Sequence, residues 1–101
     1  MDSILAMINL TKKTPDVIQA ELAKRVRARR KELHYSQAEL ADRSGVSLGS
    51  LKRFESMHEI SLASLIKLSI ALDCREDFDA LFARRRYGSI EEVIADAEHT
   101  A

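Results

Sequence analysis

Apolar residues recur along this chain at intervals of three and four positions, the spacing that lays an apolar face along a helix. The longest such pattern covers residues 15–33. Thr14 is placed to cap it, Pro15 stands at the first helical position, where a missing N–H costs nothing, and Ile18, Leu22, Val26 and Leu33 fall on one side. His34 and Tyr35 close it. "SQAE" has the form of a capping box, Ser36 with Glu39; it opens a short helix to about residue 43, after which Gly45 supplies a left-handed turn. Ser47 caps the next helix, to about residue 55, and Ser61 caps one over 62–72, followed by a short helix over 76–82. A weaker segment precedes these at 3–10. A second capping box, Ser89 with Glu92, opens a last helix over 90–98 whose apolar stripe is Ile90, Val93, Ile94 and Ala97.

Composition narrows the class. Three glycines, one proline and five aromatic residues leave 101 positions without the punctuation that strands and hairpins need, so the expected class is all-α. A chain of this length suits one small domain, whose core buries somewhat under about two thirds of its surface, and a partner would add stability. No internal repeat or low-complexity linker divides it. The single cysteine, Cys74, excludes an internal disulfide, and no secretion signal is present, so a reduced, cytoplasmic protein is expected. The longest apolar stretch, "SILAMINL", is less than half the roughly 18 residues of a membrane span.

Formal net charge is zero, but it is unevenly spread: residues 15–58 carry nine Lys/Arg against six Asp/Glu, and residues 59–101 carry five against nine. A neutral total therefore does not exclude nucleic acid, since binding follows local potential. The run "AKRVRARRK" places six cations within residues 24–31. Such a run usually forms a solvated helix face paired with Glu21 or Glu32, although part of it can flank phosphates. No Ser/His/Asp or Cys/His set is specified, and neither His34 nor His58 has metal ligands at suitable spacing, so no enzyme, metal or cofactor is expected.

The informative stretch is "SGVSLGSLKRFE", where two short helices meet through a four-residue turn. A steep crossing through so tight a turn needs a small residue in the first helix and a residue tolerant of positive φ in the turn, and Ala41 and Gly45 meet those needs. Leu40, Val46, Leu51 and Phe54 then close a shared core and leave Leu48, Gly49, Lys52 and Arg53 outside. That is the plan of a DNA-binding helix-turn-helix. A helix start facing plain water favours Asp, Glu or Ser, whereas this one opens with Leu48 and Gly49. A groove explains both: Leu48 can rest on thymine methyls, and Gly49 lets the backbone come close to DNA.

Across residues 22–82 the chain resembles the phage-repressor-like helix-turn-helix proteins of the Cro or Xre type, with Gln37, Leu40, Ala41, Gly45, Val46, Ser47, Leu51 and Glu55 in register. The resemblance implies a five-helix repressor-like domain over 15–83, with short helical extensions at 1–14 and 84–101. It also implies a reading helix at 48–55 that enters the major groove, and a homodimer on a palindromic operator. On it, Gln37 contacts phosphate and braces the reading helix, although a Gln after a capping Ser is also a good helix start. Ser47 and Ser50 offer hydroxyls to the DNA backbone, Lys52 serves phosphate, and Arg53 takes a base edge. Arg30 and Glu55 match positions of a partly buried ion pair. Where the family often has Glu-Asn-Gly, this chain reads Glu55-Ser56-Met57-His58, which puts His58 in the positive-φ turn.

The ends carry apolar stripes that five helices do not need: Ile4, Leu5, Met7, Ile8 and Leu10 at one end, Ile90, Val93 and Ile94 at the other. They serve a dimer or partner contact, or pack back on their own domain. The tail "ARRRYGSIEEVIADAE" also resembles HipB-like antitoxins, which implies a toxin protein as a second kind of partner.

Overall fold

The computed structural model describes residues 13–85, together with Ile94 and Ala97. Five helices lie among them: α1 (Pro15–Glu32), α2 (Gln37–Ser44), α3 (Leu48–Met57), α4 (Leu62–Ala71) and α5 (Glu76–Ala80). The described residues contain no strand, so the class is all-α, as the periodicity predicts. The segment expected over 3–10 lies outside the described residues. Of the helix expected over 90–98, Ile94 and Ala97 are described and helical, while Ile90 and Val93 lie outside.

Four side-chain caps start four of these helices. Thr14 Oγ1 accepts from Val17 N, Ser36 Oγ from Glu39 N, Ser47 Oγ from Ser50 N and Ser61 Oγ from Ser64 N, at 3.0 to 3.3 Å. Each satisfies an N–H that the first turn leaves open. The helices end where the backbone turns left-handed. Gly45 (φ 77°) closes α2, and His34 (φ 60°) and His58 (φ 66°) follow α1 and α3. Glu39 departs from the expected capping box: its carboxylate accepts from Arg43 one turn on, at 3.2 Å, an i,i+4 pair in the favourable order. Arg43 in turn stacks over the Tyr35 ring at 4.5 Å.

The core is small and lies where α2, α3 and α4 meet α1. Ala23, Leu40, Ala41, Val46, Leu51, Phe54, Leu68 and Leu72 are buried. Leu22, Val26, Leu33, Tyr35, Ile60, Leu65, Ala71 and Cys74 pack against them. α2 packs on both α3 and α4, and α1 packs on α3. Ile18, expected on the buried side of α1, is 51% exposed. The first turns of α1 run past the turn between α3 and α4, where Gln19 donates to the His58 carbonyl at 3.2 Å, so Ile18 lies beyond the edge of the core.

Arg29 fastens the other end of α1. Its Nε donates to the carbonyl of Leu72, which caps α4, at 3.1 Å. The hydrogen bond to Glu32, and next the neighbouring Cys74, hold its guanidinium above its ordinary pKa. Cys74 is half-buried, its thiol directed at the same Leu72 carbonyl. α5 is shorter than the 76–82 expected. Leu81 N donates to Phe78 O and Ala83 N to Ala80 O, three-residue turns that take the chain off the helical path and leave Phe82 at φ 59°. A helix of one turn gains too little from propagation to resist this.

Two turn substitutions test this account. A Cβ at Gly45 would meet nothing within 4 Å, so Gly45→Ala is penalised by its left-handed backbone alone, about 1–2 kcal/mol. At His58 the same penalty is already present, and His58→Gly is expected to raise stability by up to about 1 kcal/mol. Urea unfolding of the two variants should shift in opposite directions.

Candidate nucleic-acid interface

α3 carries two faces because its apolar residues are three apart. Leu51 and Phe54 are fully buried, and Leu48, Gly49, Ser50, Lys52 and Arg53 are all exposed. The Ser47 hydroxyl accepts from Ser50 N and donates to Ser50 Oγ at 2.9 Å, so Ser50 is the one of the two with a hydroxyl proton to offer outward. A Cβ built on Gly49 meets nothing within 4 Å, and its φ lies outside the left-handed range. Nothing in the fold asks for glycine there, although glycine costs a helix about 1 kcal/mol relative to alanine.

The orientation of this face is set from behind. Arg30 of α1 forms two parallel hydrogen bonds to Glu55 of α3, Nε to Oε2 at 2.8 Å and Nη2 to Oε1 at 2.9 Å. Both side chains are nearly buried, at 9% and 6% exposure. Arg30 Nη1 donates to the Tyr35 carbonyl at 2.8 Å, and Gln37 Nε2, at the start of α2, donates to Glu55 Oε1 at 3.1 Å. One carboxylate thus holds α1, α2 and α3 at fixed angles. Among the described residues no buried side-chain nitrogen or oxygen lacks a hydrogen-bond partner.

Beside this cluster an open depression is lined by Arg27, Arg30, Ser36, Gln37, Lys52, Glu55 and Ser56. Its walls hold three cations and one carboxylate, and that carboxylate is engaged by Arg30. Arg27 and Lys52 remain exposed at its rim, with Arg27 Nε 3.8 Å from Glu55 Oε1. Such a hollow beside the N-terminus of α2 suits an anion. Sequence reasoning singled out Lys52 and Gln37 but missed Arg27; the available signal was its i,i+3 spacing from Arg30 within the cationic run. Arg53 points to a second cleft with Ser50, Glu59, Ile60, Ser61 and Ser64, and its Nη2 lies 3.4 Å from Glu59 Oε1. Glu59 was also missed, having no pattern to mark it.

Among the described residues no three His, Cys, Asp or Glu side chains are grouped to hold a metal, and no helix is long and apolar enough to cross a membrane. Of Ile90, Val93 and Ile94 at the C-terminal end, Ile94 alone falls within the described residues, and it is half exposed.

A helix held rigidly with one polar face outward, joined by a tight turn to a second helix across a shared core, is the architecture of a DNA-binding domain. The helix-turn-helix family model matches residues 26–78, just over half of the chain, from within α1 to α5. The protein belongs to the Cro/Xre-type helix-turn-helix family, a family of DNA-binding transcription regulators. No curated protein and no solved structure matches the chain.

The buried pair gives a stability test. Glu55→Ala leaves the Arg30 guanidinium desolvated without its carboxylate and should cost about 3–5 kcal/mol in urea unfolding. Adding Arg30→Met in the same chain should recover a large part of that loss.

Proposed function

We propose that this protein is a sequence-specific repressor that binds a palindromic operator as a homodimer in the cytoplasm, without a small-molecule cofactor. The observation that carries the reading is the outward face of α3. Leu48, Gly49, Ser50 and Arg53 stand exposed on a helix locked from behind, and the glycine among them serves no purpose within the fold. The major groove gives each of them a use: Leu48 meets thymine methyls, Gly49 permits close approach, Ser50 donates a hydroxyl, and Arg53 takes guanine O6 and N7. Ser36 and Ser47 hold their helix starts, Gln37 stands at one such start, and Lys52 and Arg27 take phosphates from the cation-lined depression.

Pairing supports the dimer. One recognition helix reads only a few base pairs, and a two-fold partner places a second about one DNA turn away, roughly 34 Å. The described surface beyond α5 is suited to such a partner: Phe82 is 96% exposed, in a left-handed backbone that an aromatic residue rarely adopts, with Leu81 and Ile94 also exposed. The terminal stripe of Ile90, Val93 and Ile94 continues it in sequence, and its acidic neighbours Glu91, Glu92, Asp96 and Glu98 would be repelled by phosphate, so the dimer contact lies away from the DNA. The same exposed apolar residues favour a second reading, an antitoxin that covers a HipA-like kinase and represses its own operon.

Three changes test these readings. Arg53→Ala should lose about 1–3 kcal/mol of operator affinity, concentrated at one base position of a site selected from random duplexes. Gly49→Ala should raise folding stability by about 0.5–1 kcal/mol while weakening operator binding, an opposition that a purely structural glycine would not show. Truncation after Arg86 should lower the mass seen by light scattering at micromolar concentration and weaken operator binding, with α1 to α5 still folded by circular dichroism. A chain whose mass and binding are unchanged would overturn the dimer reading, and a kinase encoded in the adjoining reading frame would favour the antitoxin.

A further inference from the structure

We infer that Glu59 is a specificity-determining residue, one that makes Arg53 a reader of bases and keeps it from acting as a phosphate clamp. The inference rests on the DNA-binding reading of α3 and concerns how that face discriminates. Arg53 Nη2 donates to Glu59 Oε1 at 3.4 Å, and the two side chains are 61% and 52% exposed. An exposed pair of this kind contributes little to folding, so holding the domain together does not account for it. Its position does have a consequence: Glu59 lies in the turn between α3 and α4, and its carboxylate sits against the one cation of α3 that faces the Ser50 side of the helix.

The chemistry follows from charge. A guanidinium has five N–H donors, so Arg53 can keep one on Glu59 and still present two to a guanine edge. The guanine O6 and N7 edge carries no net charge and tolerates a carboxylate behind the arginine. A phosphate does not, because any phosphate oxygen that Arg53 reaches also lies in the field of Glu59 a few ångströms away. The pair also restrains a long side chain that would otherwise lose its rotamer freedom on binding. Lys52, on the neighbouring face, has no such carboxylate at its head: the nearby Glu55 is taken up by Arg30 and Gln37. Two adjacent cations on one helix are thereby assigned different targets, Lys52 the backbone and Arg53 the base.

Glu59→Gln removes the negative charge with little change in size, and Glu76→Gln, at the exposed start of α5, serves as a charge-matched control. Each chain would be used to select sites from a pool of random duplexes, and its affinity for one random-sequence 30-base-pair duplex measured between about 50 and 200 mM salt. For Glu59→Gln the expected result is a weaker preference, by about 2- to 5-fold, at the base position that Arg53→Ala identifies, the range an exposed ion pair can supply. Affinity for the random duplex should rise, with a salt slope steeper by about one phosphate contact. Glu76→Gln should change neither. An unchanged preference at that position, or unchanged random-duplex binding, overturns the role of Glu59 while the DNA-binding reading stands. A wild-type chain that enriches no sequence and binds no duplex overturns both.

Discussion

Every proposed reading residue in this protein depends on one buried carboxylate. Glu55 sits at the rear of α3, where Arg30 donates to it twice and Gln37 once, and Arg30 also reaches the Tyr35 carbonyl. These bonds join α3 to α1 and to α2. A buried ion pair is a poor source of net stability, because desolvation offsets most of its attraction. Its value is directional: bidentate geometry tolerates little rotation, so it fixes the angle at which Leu48, Gly49, Ser50 and Arg53 face outward. A core with eight buried apolar residues among those described, two of them alanines, would allow more sliding on its own.

Around that fixed point, the fold accepts local costs. Five described residues adopt positive φ, and only Gly45 is a glycine. His34, Asp73 and His58, of types that enter this region more readily than other side chains, and Phe82, whose bulk resists it, follow helix ends in the same conformation. Gly49 is the converse case: a glycine where the backbone does not require one, on the surface the proposed function uses. A small domain has little stability to spare, so features that work against folding in this way point to demands from outside the chain.

Charge is arranged with the same economy. Six of the sixteen basic side chains lie in α1 and the acidic ones gather toward the C-terminal half, so a chain of zero net charge still presents a cationic rim of Arg27 and Lys52 beside the outward face. Neighbouring carboxylates pair with the cations individually. Glu55 is consumed in the interior, whereas Glu59 remains at the surface next to Arg53.

Sequence alone determined where α1 to α4 start and the point where two of them turn. Thr14, Ser36, Ser47 and Ser61 cap N–H groups three residues away, and Gly45 and His58 act on their own backbone, so these features depend on neighbours that the sequence itself supplies. The buried set Leu40, Val46, Leu51 and Phe54 was legible for the same reason, since the turn between α2 and α3 is short enough to fix which faces meet. The link from Arg30 to Glu55 spans 25 positions and was visible only through the family resemblance. Tertiary structure alone decided that Ile18 overhangs the core, that Arg27 lines the anion-suited depression, and that Glu59 meets Arg53. In each of these cases periodicity and local patterns left the partner open, because a side chain's reach, and the other bonds its partner has already made, are set by how the helices pack.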